Sequence, residues 1–175
     1  MWIPKKEGEV LLALDRGAGG EVKWRRVCAP AQIDARGLTA RAALIEQATG
    51  EQYDVQTLRR LPYETKSCSF ELDVGETHPA GLLWTTIVNC ERARILVFAI
   101  APEFQDRGLG SHVWRMMQGD LQALGIRKVQ LEVHVENRGA VRLYERLGMN
   151  AVGIIGGYYL TGDGILMEWD ASLEE

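Results

Sequence analysis

Apolar and polar positions alternate along this chain with two different periods. Residues Ile95 to Ile100 are continuously apolar, the pattern of a strand buried on both faces. From Leu109 the period lengthens: Leu109, Val113, Met116, Met117, Leu121 and Leu124 fall at helical spacing, and Gly125 closes the segment. Between the two lies Gln105-Asp106-Arg107-Gly108-Leu109-Gly110-Ser111. A strand that turns through two glycines into a helix aims several backbone N–H groups, and the positive end of the helix dipole, at one point. That arrangement predicts an anion site for a phosphate or pyrophosphate. A glycine-assisted turn with no ligand fits the same spacing, and the turn alone does not separate the two.

Elsewhere the pattern predicts strands at Val10–Leu14 and Val22–Cys28, a hairpin around the glycine-rich Arg16–Gly20. Ala31–Thr49 predicts a helix from about Thr39 that stops at Gly50, and Thr57–Leu61 a short helix ended by Pro62. Ser67–Val74 and Gly81–Asn89 read as strands on either side of a turn. The second half reads as strand Arg94–Ala101, helix Leu109–Leu124, strand Lys128–Val135, helix Gly139–Leu147, and strands at about Ala151–Tyr158 and Ile165–Asp170. Strand–helix–strand implies a parallel pair with a right-handed crossover, and hairpins at both ends imply antiparallel neighbours. The expected fold is α+β, a mixed sheet layered with helices.

Composition narrows the function classes. At 175 residues, with 46% apolar and 25% charged positions, the chain reads as one domain over residues 1–175 with a substantial core. No apolar run approaches the roughly 20 residues of a membrane helix, and Met1–Glu7 lacks the core of a secretory signal. A cytoplasmic location is expected, with no membrane partner. The three cysteines, Cys28, Cys68 and Cys90, lack metal-ligand spacing and are expected to be reduced and buried, with no metal site. A net charge of −4 argues against a nucleic-acid surface, despite local clusters such as Lys23-Trp24-Arg25-Arg26.

The glycine turn fails two well-known templates. A dinucleotide loop needs a third glycine where Val113 stands, and a nucleoside-triphosphate loop needs a lysine before its serine, where Gly110 precedes Ser111. Ala101-Pro102-Glu103-Phe104-Gln105-Asp106-Arg107-Gly108-Leu109-Gly110 instead resembles the Gln/Arg-x-x-Gly-x-Gly/Ala signature of the GNAT N-acetyltransferase superfamily. Leu131–Asn137 and Ala140–Met149 match that family's next two elements, so the resemblance covers about Ala93 to Trp169. Among its members the chain is most similar to bacterial ribosomal-protein alanine acetyltransferases and N-terminal acetyltransferases. The first 90 residues follow the family's order of elements without a diagnostic motif.

The resemblance implies a central mixed sheet of about seven strands, helices on both faces, and a splayed parallel strand pair. It implies acetyl-CoA as cofactor, its pyrophosphate held by Gln105, Asp106, Arg107, Gly108, Leu109, Gly110 and Ser111. The exposed backbone near Phe98, Ala99 and Ile100 would pair with the pantetheine arm, and Asn137 and Arg142 would contact the cofactor. Residues 91–170 would then hold the cofactor and residues 1–90 the acceptor side; Tyr158-Tyr159 and the turn after them, which resemble a substrate-holding loop, would join that side from the second section. An exposed terminal strand leaves a homodimer open.

Acetyl transfer to an amine needs a neutral amine, a polarised carbonyl and a proton for the leaving thiolate. Strand alternation puts Glu132, His134 and Glu136 on one face and Leu131, Val133 and Val135 on the other. A solvated face explains these ionisable residues as well as a catalytic base does. The resemblance selects Glu132, and His134 is the second candidate because an unperturbed imidazole titrates nearer neutrality. Tyr144 lies beside the apolar stripe of its helix and reads as a core tyrosine; the resemblance makes it the acid. Asn137 doubles as a helix cap. The expected activity is direct acetyl transfer to a primary amine, a peptide or protein N-terminus. A small-molecule amine acceptor, or a non-catalytic acyl-CoA sensor, are the competing readings.

Overall fold

The computed structural model describes residues 22–27, 33–62 and 68–173. Its elements are β1 (Lys23–Val27), α1 (Ala35–Thr49), α2 (Val55–Arg60), β2 (Ser69–Asp73), β3 (Gly81–Ile87), β4 (Arg92–Ile100), α3 (Leu109–Ala123), β5 (Lys128–His134), α4 (Arg138–Arg146), β6 (Asn150–Tyr159) and β7 (Gly162–Asp170). The strands form one seven-stranded sheet in the order β1-β2-β3-β4-β5-β7-β6. Among the described residues only β4 and β5 run parallel; every other neighbouring pair is antiparallel. The expected mixed α/β layering is therefore present.

Local chemistry sets the boundaries. Helix α1 begins at Ala35 rather than near Thr39, because the Asp34 carboxylate accepts the Gly37 N–H at 2.7 Å and caps the first turn. Asp54 does the same for α2 through the Thr57 N–H. The expected hairpin partner Val10–Leu14 lies outside the described residues; β1 pairs antiparallel with β2. Strand β3 is buried from Gly81 through Thr86, on both faces, so helices cover both sides of the sheet centre. Strand β6, at the edge, is exposed along most of its length.

The buried apolar residues form one cluster that joins α1, α2 and α3 to the central strands. Two polar links brace its perimeter. Arg41 of α1 forks onto Glu71 of β2 at 2.7 and 2.5 Å, with both side chains nearly covered. Arg26 of β1 forks onto Asp120 of α3 at 2.7 Å through both nitrogens. Trp24, also on β1, donates its indole N–H to the Leu109 carbonyl at 3.2 Å and so fastens the start of α3. The expectation of three buried thiols fails at Cys90, which lies in the exposed β3–β4 turn; Cys68 is buried, and Cys28 lies outside the described residues. Asparagine and glutamate around Cys90 leave that turn no apolar cover.

Candidate active site

Strands β4 and β5 pair through three positions, Arg92↔Lys128, Ala93↔Val129 and Arg94↔Gln130. Past Arg94 they part. Each keeps its other neighbour: β4 pairs with β3 as far as Ile100↔Gly81, and β5 with β7 as far as His134↔Gly164. The register between β3 and β4 jumps from Thr85↔Ile95 to Trp84↔Val97, which leaves Leu96 as a bulge just beyond the last β4–β5 pair. A bulge bends its strand, so Leu96 turns β4 away where the gap opens. Phe98, Ala99 and Ile100 line that gap.

The loop after β4 folds back on the strand end. Gln105 donates its side-chain N–H to the Ile100 carbonyl at 2.8 Å. Asp106 adopts a left-handed φ of 56°, uncommon for a residue with a Cβ, and Gly108 caps α3 at φ 76°. The first helical bond of α3 is His112 N–H to Gly108 O at 3.0 Å. The N–H groups of Leu109, Gly110 and Ser111 precede it and carry no helical bond. A Cβ on Gly110 would stand 3.6 Å from Ile100 and Phe98, and one on Gly108 would meet nothing within 4 Å. Backbone donors without helical bonds at a glycine turn fit a pyrophosphate. Leu109 is buried with the core while bordering the cleft, and Arg107, whose guanidinium lies over the Phe104 ring at 5.3 Å, does not itself line it.

The gap and the loop belong to one cleft of about 620 Å³. Glu132, Tyr144, Asn137 and Arg142 line it together with the glycine turn. Tyr144 is 9% exposed, its ring 6.2 Å from that of Phe98. Burial, and then the Glu51 carboxylate, push its phenol pKa up, so it stays protonated. Asn137 caps α4 by accepting the Ala140 N–H at 3.1 Å. His134 is otherwise engaged: its Nδ1 accepts the Glu136 N–H and its Nε2 faces Thr161 Oγ1, both at 3.1 Å.

Pattern reading passes over Arg94, Glu51 and Tyr53 at this site, while the resemblance singles out Tyr158 and Tyr159. Arg94 Nε and Nη2 both reach Glu132 Oε2, at 3.0 and 2.7 Å. Tyr158 joins them from β6, and Gly164 gives it room, since a Cβ there would stand 3.1 Å from the Tyr158 Cβ and 3.2 Å from its ring. Tyr159 donates to the Glu132 carbonyl at 3.1 Å. On the other wall, Glu51 and Tyr53 come from the α1–α2 connection, with the Tyr53 hydroxyl donating to Glu51 at 3.1 Å. Burial and then Glu51 raise the pKa values of Tyr53 and Tyr159. Alternation could place Arg94 on one face of its strand, but only the β4–β5 register brings it to Glu132.

Comparison with known proteins bears on this arrangement. Residues 39–149 match the acetyltransferase (GNAT) family. A [ribosomal protein bS18]-alanine N-acetyltransferase of Salmonella typhimurium is 37% identical over 79 residues, 45% of this chain and 53% of that protein. A mycothiol acetyltransferase of Streptomyces coelicolor is 30% identical over 128 residues, 70% of this chain and 41% of that protein. The chain thus spans about half the length of the curated relatives it matches. The crystal structure of the ribosomal-protein-S18-alanine N-acetyltransferase from Escherichia coli superposes with a TM-score of 0.70 at 23% identity, covering 86% of this chain and 94% of that one. The chain belongs to the GNAT family of acetyltransferases, whose acyl donor is acetyl-CoA.

Proposed function

We propose that this chain moves the acetyl group of acetyl-CoA directly onto a primary amine, a peptide or protein N-terminus, within a ternary complex. One observation carries the reading: the open edge of β4, the free amides of the α3 turn, Glu132 and Tyr144 all face one cleft. Acetyl-CoA supplies an acetyl group activated as a thioester. Leu109, Gly110 and Ser111 would hold its pyrophosphate through backbone N–H groups, and Phe98 to Ile100 would pair with its arm. Glu132 receives the proton of the arriving ammonium, which frees the nitrogen lone pair. Tyr144 Oη keeps a proton for the departing sulfur, a role that suits a phenol held neutral by burial. Neither described cysteine lines the cleft, which favours direct transfer over an acyl-enzyme.

Residues 91–170 form the cofactor side of a single domain over 1–175, and the section before them supplies the acceptor wall with Glu51 and Tyr53. The cytoplasm is the proposed location. Strand β6, uncharged and exposed, would be the surface of a homodimer. A small amine is the competing acceptor, supported by the similarity to the mycothiol enzyme. An acceptor panel with acetyl-CoA decides: an alanine-terminated peptide, an internal-lysine peptide with a blocked N-terminus, and spermidine. The expected result is CoA release and a gain of one acetyl group with the first. Turnover of spermidine alone would move the acceptor to small amines, and binding without CoA release would leave a sensor.

A further inference from the structure

We infer that Arg94 is a positioning residue: from outside the cleft it holds Oε2 of Glu132, so that Oε1 is the oxygen presented to the acceptor. The inference rests on the reading of Glu132 as the base. Arg94 forms the last backbone pair between β4 and β5, opposite Gln130, and Glu132 lies two residues further along β5. The side-chain link therefore spans the first open step of the gap. Every bond to the Glu132 carboxylate among the described residues falls on one oxygen. Arg94 Nε and Nη2 reach Oε2 at 3.0 and 2.7 Å, and the Tyr158 hydroxyl donates to it at 3.3 Å. Arg94 Nη2 also donates to Tyr158 Oη at 2.6 Å, which closes a triangle.

Exposure separates the roles. The Glu132 side chain is 12% exposed and lines the cleft, whereas that of Arg94 is 39% exposed and does not. A carboxylate that covered needs a partner, and a guanidinium at its back provides one without entering the reaction space. The fork matters because two of its nitrogens meet Oε2 while one of them also fixes Tyr158; a lysine ammonium is a point charge on a mobile stem. A purely structural strut between β4 and β5 would show the same bonds, so the test must read coupling to Glu132.

The experiment is a double-mutant cycle with wild type, Arg94→Met, Glu132→Gln and the double variant. It measures kcat and the KM for acetyl-CoA with the alanine-terminated peptide, or spermidine if the peptide is not turned over, and melting temperature alongside. Arg94→Met is expected to lower kcat about tenfold with the acetyl-CoA KM unchanged, short of the roughly 100- to 10,000-fold that losing a general base spans. In the Glu132→Gln background the same substitution should change nothing further. Arg94→Lys should recover part of the rate, and it stands in if Arg94→Met does not fold. Equal slowing in both backgrounds, or no slowing in either, overturns the positioning role. A Glu132→Gln enzyme with full kcat removes the base reading itself, whatever Arg94 does. No turnover of any acceptor by wild type removes both.

Discussion

Tyr144→Phe is the cleanest probe of the proposed chemistry, because it deletes one oxygen and leaves the ring where it is. The ring is nearly covered and packs at 6.2 Å from Phe98, contacts that phenylalanine keeps. Its helix end is held by main-chain bonds, from Leu147 and Met149 N–H to the Tyr144 carbonyl at 3.0 Å, which the substitution does not touch. Among the described residues no group bonds the hydroxyl, so stability should hold within about 0.5 kcal/mol, about 1–2 °C in Tm for a chain of this size. The rate is another matter. A positioned acid is worth roughly 100- to 10,000-fold, or about 2.7–5.4 kcal/mol of transition-state stabilisation at 1.36 kcal/mol per factor of ten. The assay is kcat, acetyl-CoA KM and Tm on the same preparation. The expected result is a kcat loss in that range with KM and Tm unmoved. A kcat within twofold of wild type would mean the hydroxyl gives no proton, and a parallel fall in kcat and Tm would return Tyr144 to the core.

Two further outcomes concern stability. Arg41→Met leaves Glu71 covered and unpaired, at a cost of about 3 kcal/mol, or about 6–12 °C in Tm, while Arg41→Met with Glu71→Leu should regain most of it; a single variant that melts like wild type would show the pair contributes nothing. Tyr53, Tyr144 and Tyr159 all have raised pKa values, first through burial. Because the unfolded phenols lose their protons first, stability should be intact below about pH 10 and decline above it, by at most about 1.4 kcal/mol per pH unit per tyrosine. Urea unfolding at about pH 9 and pH 11 reads this directly, and equal midpoints would contradict it.

Much of the second half of this chain is legible in its sequence because local signals agree there. Ile95–Ile100, the Gly108 and Gly110 turn and the Leu109–Leu121 stripe each point to one element, and the elements follow in the order that a parallel crossover needs. The start of α1 is harder to read, because Arg36 and Gly37 look like a break until Asp34 is seen to cap the Gly37 N–H. The anion loop and Tyr144 sit on single elements, so spacing and resemblance reach them. Arg94 and Glu51 do not. Arg94 meets Glu132 across 38 positions through a sheet register, and Glu51 reaches the cleft because α1 packs over the sheet, neither of which leaves a periodic trace.

The parting of β4 and β5 has a mechanical side as well. Seven residue pairs tie β4 to β3 and seven tie β5 to β7, but only three join the halves of the sheet. The sheet is in effect two ribbons stitched along a short seam. Opening free energy follows such uneven stitching, so the seam is where partial unfolding would begin while each ribbon stays whole. A bound molecule laid between the ribbons would supply the missing stitches, so backbone cohesion of the sheet would depend on occupancy of the cleft.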